Sequence, residues 1–245
     1  PGNRTIGIAG DVQPEAAREL VAKYFGDIPN PGLPPAPSVK EPPQRGERRA
    51  VLKKVSQVEA LFAGFHAVGM DHPDLYPLNL LSLILSGGKS SRFYQEFVRP
   101  GTAVDVEAAL AAPPFAGQDP DLLVIAAVAA PGRPLTELEA ALWAAVDRLR
   151  EEGVTPEELA RAKKLMRAQA ARSLANNFFR GLLVGLYHLK TGDAGMVNRL
   201  LQFYEQVTLE DITRVARQYL REDNRTVVVL QPVTPEESQA LGPLQ

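Results

Sequence analysis

Apolar and polar residues follow one another along this chain in an order that predicts strands first and helices later. The apolar positions of residues 49–66 suit one or two long strands, with the charged residues kept to one face. A broadly apolar stretch over residues 71–86 predicts a mostly buried helix, and two strands are predicted at about residues 102–110 and 121–129. Residues 136–220 read as helices. This order predicts an α+β fold, in which helices pack on one face of a largely antiparallel sheet.

Several helix boundaries are marked by capping residues. Gly153 is predicted to end the first helix of the helical region. The segment Thr155-Pro156-Glu157-Glu158 has the pattern of a capping box with proline at the first helical position. Thr208-Leu209-Glu210-Asp211 begins the last helix in the same manner, and a short helix is predicted over about residues 90–98.

A short motif recurs near the two ends of the chain. Asn3-Arg4-Thr5-Ile6 returns as Asn224-Arg225-Thr226-Val227, and the match continues without a gap to Leu20 and Leu241. Both copies predict a strand followed by a helix that opens with Pro-Glu. One structural unit therefore separates the copies, and we interpret the chain as a C-terminal piece of a longer, duplicated protein.

The repeat divides the chain into three predicted segments. Residues 1–30 are the closing strand and helix of a preceding repeat, residues 31–48 are a proline-rich linker, and residues 49–245 are a complete C-terminal domain. The linker either extends between two facing units or lies as a strap on the domain surface. Its prolines are Pro31, Pro34, Pro35, Pro37, Pro42 and Pro43.

Composition is that of a packed globular protein, with 45% hydrophobic and 23% charged residues. A net charge of −2 with scattered basic residues gives no reason to expect nucleic acid as a partner, and no apolar run is long enough for a membrane segment. The absence of cysteine excludes disulfides and thiolate metal sites. These features leave the compartment open, with the cytoplasm slightly favoured.

Motifs for catalysis and metal binding are missing from the sequence. Gly87-Gly88-Lys89-Ser90-Ser91 is not a phosphate-binding loop, because Leu83 stands where the motif needs a glycine and a helix precedes it. None of the histidines at 66, 72 and 188 has a second ligand at metal-binding spacing. His66 and His72 could ligate jointly, although a helix cap and a surface position explain them better. We therefore predict no catalytic residue, no metal and no cofactor in this chain.

The chain contains, in this order, the motifs Tyr24-Phe25-Gly26-Asp27-Ile28-Pro29, Asp71-His72-Pro73-Asp74, residues 85–96 and Gly153-Val154-Thr155-Pro156-Glu157-Glu158-Leu159. Their order resembles that of the pitrilysin/insulinase family of zinc peptidases, which includes mitochondrial processing peptidase and related, partly noncatalytic, subunits of respiratory complexes. The resemblance implies two similar α+β units that enclose a chamber, with zinc on a His-x-x-Glu-His helix of the first unit. This chain resembles the second unit over nearly its whole length.

The resemblance implies a C-terminal, zinc-free half of a zinc metallopeptidase. Such a half closes the chamber and helps to bind an extended peptide, while the N-terminal half of the same chain supplies zinc; a homodimer or heterodimer is compatible with this arrangement. The full-length protein is then a zinc metalloendopeptidase and this fragment alone is inactive. The alternative is a noncatalytic scaffold or partner subunit of the same fold, and a third hypothesis is a stand-alone peptide-binding module with an open strand edge.

Active second units of this family carry a segment resembling Arg-x-x-x-Gly-Leu-Ala-Tyr, whose arginine and tyrosine hold the substrate backbone. The corresponding stretch here runs from Phe97 to Val104, with valine in the tyrosine position and phenylalanine in the arginine position. If the pattern is shifted along the sequence, Arg99 takes the arginine position instead. Arg99 is therefore the only substrate-binding residue that we predict.

Overall fold

The computed structural model describes residues 5–30, 32, 41–113 and 115–237. Five strands lie within these residues and form a single sheet. They are β1 Arg48–Val55, β2 Ala60–His66, β3 Ala103–Ala109, β4 Leu122–Ala129 and β5 Arg225–Val233.

Helices make up most of the remaining described chain. They are α1 Pro14–Phe25, α2 Leu75–Ser86, α3 Leu135–Glu152, α4 Pro156–Ala175, α5 Asn177–Thr191, α6 Met196–Gln206 and α7 Leu209–Tyr219. A π-helical turn covers Tyr94–Val98, and a short 3₁₀ turn at Glu222–Asn224 precedes β5. None of the described helices is both long and apolar enough to cross a membrane.

The sheet has the strand order β1-β5-β2-β4-β3. Only β1 and β5 are parallel, whereas β5 to β2, β2 to β4 and β4 to β3 are antiparallel pairs. The prediction of a largely antiparallel sheet is therefore confirmed. The two strands expected between residues 49 and 66 are both present but are not paired with each other, because the last strand of the chain lies between them.

Helices α2, α3 and α7 cover one face of this sheet. Helix α3 contacts β2 and β4, α2 contacts β3, and α7 packs on both α2 and α3. Every second residue of β2, such as Leu61 and Phe65, is buried beneath this layer, and α2 is buried along most of its length. Burial of one large apolar side chain stabilises a fold by about 1.5–3 kcal/mol, so the many buried side chains of this layer stabilise the unit strongly. The predicted one-sided α+β arrangement is confirmed.

Capping at the helix ends follows the sequence closely. Thr208 and Asp211 form a complete capping box at the start of α7. At the start of α4 the Thr155 backbone N–H donates to Glu158 Oε2 over 2.8 Å, and the Glu158 N–H donates to Thr155 Oγ1 over 3.2 Å. Gly153 ends α3 with φ of 77°. A Cβ at this position would lie 2.7 Å from Thr213 Oγ1, so glycine is required there by conformation and by space.

The repeated motif at the end of the chain has a clear structural role. Asn224 Nδ2 donates to the carbonyl oxygens of His66 and Tyr219, at 2.9 and 2.8 Å, and so closes the turn into β5. The Arg225 guanidinium lies 4.3 Å from the centre of the Trp143 ring. Thr226 Oγ1 donates to Gln44 Oε1 over 3.3 Å. The motif thus joins β5 to the end of β2, to α3 and to the segment before β1.

The described residues divide into two compact units. One comprises those of Pro1–Pro43 together with Ala168–Leu201, and the other those of Gln44–Arg167 together with Gln202–Gln245. The sheet and its covering helices belong to the second unit, and α1 and α5 belong to the first. This division differs from the predicted segments 1–30, 31–48 and 49–245, which remain a prediction.

Residues 5–13 do not form the strand predicted at the start of the chain. No strand of the described residues pairs with this segment, and a strand requires a hydrogen-bonding neighbour. The helix predicted after it is present as α1, which buries none of its residues. Asn3 and Arg4 of the motif, and the linker prolines Pro31, Pro34, Pro35 and Pro37, lie outside the described residues.

Candidate peptide-binding face

The face of the sheet opposite α2, α3 and α7 is the candidate surface of the second unit. Directly opposed residues of neighbouring strands share a face, and the register places Phe62 of β2 between Ala126 of β4 and Val228 of β5. Ala60 lies between Val128 and Leu230 in the same way. We call this surface the open face.

The open face is apolar at its centre. Phe62 is 47% exposed although it lies on the middle strand, and Leu122 of β4 is also exposed. Gly64 lies on the same face as Phe62, and because it has no side chain it leaves space beside the aromatic ring. An exposed aromatic ring on a well-paired strand is a suitable contact for an apolar side chain of a ligand.

The edge strand β3 brings negative charge to the open face. The strand register shifts between Ala103 and Asp105, so Val104 is the extra residue of a β-bulge. Asp105 and Glu107 lie two residues apart and are both exposed, whereas Val106 between them is buried. Glu107 is opposite Ala126 and therefore lies on the open face, in the same cross-strand row as Phe62. Neither carboxylate forms an ion pair within the described part of the chain.

Arg99, the predicted substrate-binding residue, lies at the end of the π-helical turn. Its side chain is exposed, and Nη1 donates to Gln95 Oε1 over 2.8 Å. Phe97, which the family resemblance aligns with the arginine of the pattern, is buried and packs on Phe93 with ring centres 5.9 Å apart. Val104, which the resemblance aligns with the tyrosine, is 53% exposed at the bulge. The structure thus gives a surface position to Arg99 and to Val104, and a core position to Phe97.

Arg92 fixes the segment that leads into this region. Its Nε and Nη2 donate to the two carboxylate oxygens of Glu158, each over 2.7 Å, and Nη2 also donates to the Gly153 carbonyl over 3.0 Å. Burial alone would raise the pKa of the Glu158 carboxyl, but the hydrogen bonds from Arg92 and from the Thr155 backbone hold that pKa below its ordinary value. Arg92 therefore joins the end of α3 and the start of α4 to the segment that precedes it, Gly87-Gly88-Lys89-Ser90-Ser91, which we call the glycine-rich segment.

The glycine-rich segment itself is structural. Ser91 Oγ donates to the Gly88 carbonyl over 2.7 Å, and Gly88 adopts a φ of 86°. The backbone thus turns sharply after α2, which explains the glycine pair without a bound phosphate.

The histidines lie apart from any metal-binding arrangement. His72 Nδ1 accepts a hydrogen bond from the Asp74 backbone N–H over 3.1 Å, just before α2. Among the described residues no group of three histidine, aspartate or glutamate side chains could hold a metal ion. The described part of the second unit therefore contains no metal centre.

A family model described as peptidase M16 inactive domain matches residues 1–166. The chain belongs to the peptidase M16 family. The match confirms the resemblance to the pitrilysin/insulinase zinc peptidases, and it assigns this chain to the domain of M16 proteins that is called inactive.

Two M16 relatives support the assignment. The zinc protease PqqE of Helicobacter pylori is 27% identical over 239 residues, which cover 95% of this chain and 52% of that protein. The crystal structure of a protease from Helicobacter pylori superposes with a TM-score of 0.83 at 26% identity, over 91% of this chain and 54% of that one. This M16 chain thus spans about half the length of the curated relatives it matches.

A peptidase M16 inactive domain from Pseudomonas fluorescens shares the fold, with a TM-score of 0.73 at 19% identity over 92% of this chain and 52% of that one. This likeness shows a shared fold. The sequence alone did not identify Phe62, Asp105 and Glu107 as surface residues. The alternation of exposed and buried positions along β2 and β3 was the available signal, but it does not show which face the helices cover.

Proposed function

We propose that this chain is the zinc-free C-terminal half of an M16 zinc metallopeptidase, and that its open face holds an extended peptide. One observation carries the proposal: helices cover a single side of the sheet, while the other side presents exposed Phe62 beside the carboxylates of β3. The relatives named zinc proteases support this function for the full-length protein.

The chemistry of the open face favours a peptide with apolar and basic side chains. Successive residues on one side of a strand are about 6.8 Å apart, and the same spacing separates alternate side chains of an extended peptide. Asp105 and Glu107 would then accept hydrogen bonds from lysine or arginine, while Phe62 packs on an apolar side chain. Charge-assisted hydrogen bonds of this kind are roughly twice as strong as neutral ones.

Zinc and the general base belong, in this proposal, to the preceding repeat of the same protein. The described residues do not fit a zinc site, so we assign no catalytic step to this chain. Arg99 is proposed to contact the peptide backbone from its exposed position beside the bulge. Residues 1–30 are proposed to be the closing strand and helix of that preceding repeat, joined by the linker 31–48 to the domain 49–245.

A noncatalytic subunit of the same fold is the second candidate function. It is favoured by the buried Phe97 and by Val104, which leave the arginine and tyrosine positions of active second units without their side chains. In this case the protein would close the chamber of a separate, active partner.

Peptide binding by the chain tests the proposal. We expect a ten-residue peptide of alternating leucine and lysine to bind, with affinity that falls as salt rises, and its leucine–glutamate counterpart to bind at least tenfold more weakly. The chain alone should not hydrolyse either peptide, whereas the longer protein should do so in a chelator-sensitive manner. Hydrolysis by the chain alone, or equal binding of both peptides, would contradict the proposal. Absence of peptidase activity from the longer protein would favour the noncatalytic subunit.

A further inference from the structure

Residues 5–9 lie against α5 within the first unit. A Cβ atom built on Gly7 would lie 3.2 Å from the carbonyl oxygen of Gly181, and one built on Gly181 would lie 3.0 Å from the Ala9 Cβ. Contacts this short are tighter than nine in ten Cβ contacts in proteins, so glycine at 181 favours the close approach of the extended segment to the helix. Gly185, one turn further along α5, has open space around its Cβ position.

Only one side of the extended segment faces α5. Thr5, Gly7 and Ala9 line a groove of about 400 Å³ together with residues of α5. Ile6 and Ile8, at the alternate positions, are 51% and 53% exposed. Residues of an extended segment alternate between two sides, so the apolar pair faces away from the helix.

The alignment of the repeated motif shows which side of β5 corresponds to the side of residues 5–9 that contacts α5. Its alignment sets Ile6 against Val227, which is buried beneath the helices of the second unit. It sets Gly7 against Val228, which lies on the open face beside Phe62. Helix α5 therefore contacts the side of the segment that corresponds to the open face, and leaves the other side for covering helices.

The residues that contact α5 are smaller in the first copy of the motif than their counterparts in the second copy, as the short contact distances require. Val228 and Leu230 of the second copy correspond to Gly7 and Ala9 of the first. A valine at position 7 would crowd the carbonyl oxygen of Gly181, whereas the small residues of the first copy let the helix and the segment meet closely.

We propose that α5 is the docking helix for the preceding repeat, and that it packs against the open face of that repeat's sheet. Residues 5–12 would form one strand of this sheet, and the neighbouring strands would cover the apolar flanks of the groove. Phe178 is 72% exposed there, and Leu189 is also exposed. The inference rests on the proposed assignment of residues 1–30 to a preceding repeat, and it is independent of peptide binding.

The length of the relatives and the exposed side of the segment favour this occupant. Relatives that match this chain are about twice as long, which leaves room for a second unit of similar size. Ile6 and Ile8 are exposed on one side of the segment and α1 buries no residue, as expected for elements whose own sheet and helices are supplied by that unit.

Engineered disulfides test the contact, because the chain has no cysteine of its own. We expect the pair Ala9→Cys and Gly181→Cys to cross-link on mild oxidation, since a shift of less than an ångström gives the usual Cβ separation of about 3.8 Å. The pair Ile8→Cys and Gly181→Cys is the control for the side of the strand, and Ala9→Cys with Gly185→Cys is the control for the helix turn. Equal cross-linking in all three pairs would overturn the contact.

Hydrogen exchange tests the occupant. In the longer protein that contains the preceding repeat, we expect the amides of α5 to exchange roughly tenfold more slowly than in this chain, with α3 unchanged as the internal reference. Unchanged exchange of α5 would overturn the docking role. Protection that appears in this chain alone as its concentration rises would assign the surface to a second copy and would also overturn it. No peptide is added, so the outcome is separate from the test of peptide binding.

Discussion

The Tyr219 hydroxyl donates a hydrogen bond to Asp74 Oδ2 over 2.8 Å and so ties the end of α7 to the start of α2. Arg214 Nη2 donates to the other oxygen of the same carboxylate over 2.7 Å. The carboxylate is buried, and both of its partners belong to α7. Burial alone would raise the pKa of Asp74, but the hydrogen bonds from Arg214 and Tyr219 hold that pKa below its ordinary value.

Asp74→Asn should therefore destabilise the second unit by about 1.5–3 kcal/mol at neutral pH. Because the folded pKa is lowered, the carboxylate stabilises the fold above its unfolded pKa of about 3.9, and this stabilisation is lost as the pH falls through the folded pKa. The difference between the two proteins should thus be full at pH 7 and shrink below about pH 4. Urea unfolding at pH 7 and pH 3 measures it. Asp71→Asn, at an exposed position, is the control, and an equal loss at both pH values would contradict the role of the charge.

Arg92→Ala should cost about 1.5–3 kcal/mol, because it leaves the half-buried Glu158 carboxylate without its bidentate partner. A double-mutant cycle with Glu158→Gln should give a coupling above about 1 kcal/mol. Arg148→Ala is the matched control, since its pair with Glu96 is exposed and should be worth about 0–1 kcal/mol. An equal loss of unfolding free energy in the two arginine variants would show that the glycine-rich segment does not depend on the Arg92–Glu158 pair.

Much of the fold could be predicted because its signals are local. Caps at Thr155 and Thr208, and the glycine at 153, mark helix ends through contacts within a few residues. The position of β5 between β1 and β2 could not be predicted, since the pairing joins residues more than 150 positions apart. Residues 5–13 do not form the strand predicted before α1 within this chain, because a strand pattern does not supply the neighbour that a strand needs. Their assignment to a preceding repeat stays a prediction.

The candidate site was harder to predict than the fold. Arg99 was singled out through a family pattern, and its role remains a prediction. The open face is the side of the sheet that the helices leave uncovered. The alternation of residues along a strand is the same whichever of the two sides the helices cover, so it cannot identify that side. The bulge at Val104 is likewise a property of the pairing with β4.

Replacing Asp105 and Glu107 together by Asn and Gln should weaken binding of the leucine–lysine peptide by roughly tenfold, because each carboxylate contributes a charge-assisted hydrogen bond at an exposed site. Stability should change little, since neither side chain is buried. Glu137→Gln together with Glu151→Gln, at two exposed positions of α3, is the control that removes the same net charge. Fluorescence anisotropy at low and high salt measures the effect. Equal weakening by the control would assign the binding to overall charge instead of to the open face.

Val104→Tyr should leave the fold intact, because Val104 is exposed at the bulge and a surface substitution changes stability by about 0.5 kcal/mol or less. Ala103→Tyr, one residue earlier, places the same side chain at a buried position and should cost about 1–3 kcal/mol through overpacking. Thermal unfolding compares the two variants.

The same Val104→Tyr variant separates the two candidate functions when it is made in the longer protein. If this domain supports catalysis, the added hydroxyl takes the position that the family resemblance assigns to a substrate-binding tyrosine, and peptidase activity should rise. A single oxyanion donor is typically worth about 10²–10³ in rate. The buried Phe97 still lacks the arginine of the pattern, so we expect a gain of roughly tenfold at most. Unchanged activity in a variant with unchanged stability would favour the noncatalytic subunit, because the added hydroxyl does not affect activity if the domain only closes the chamber.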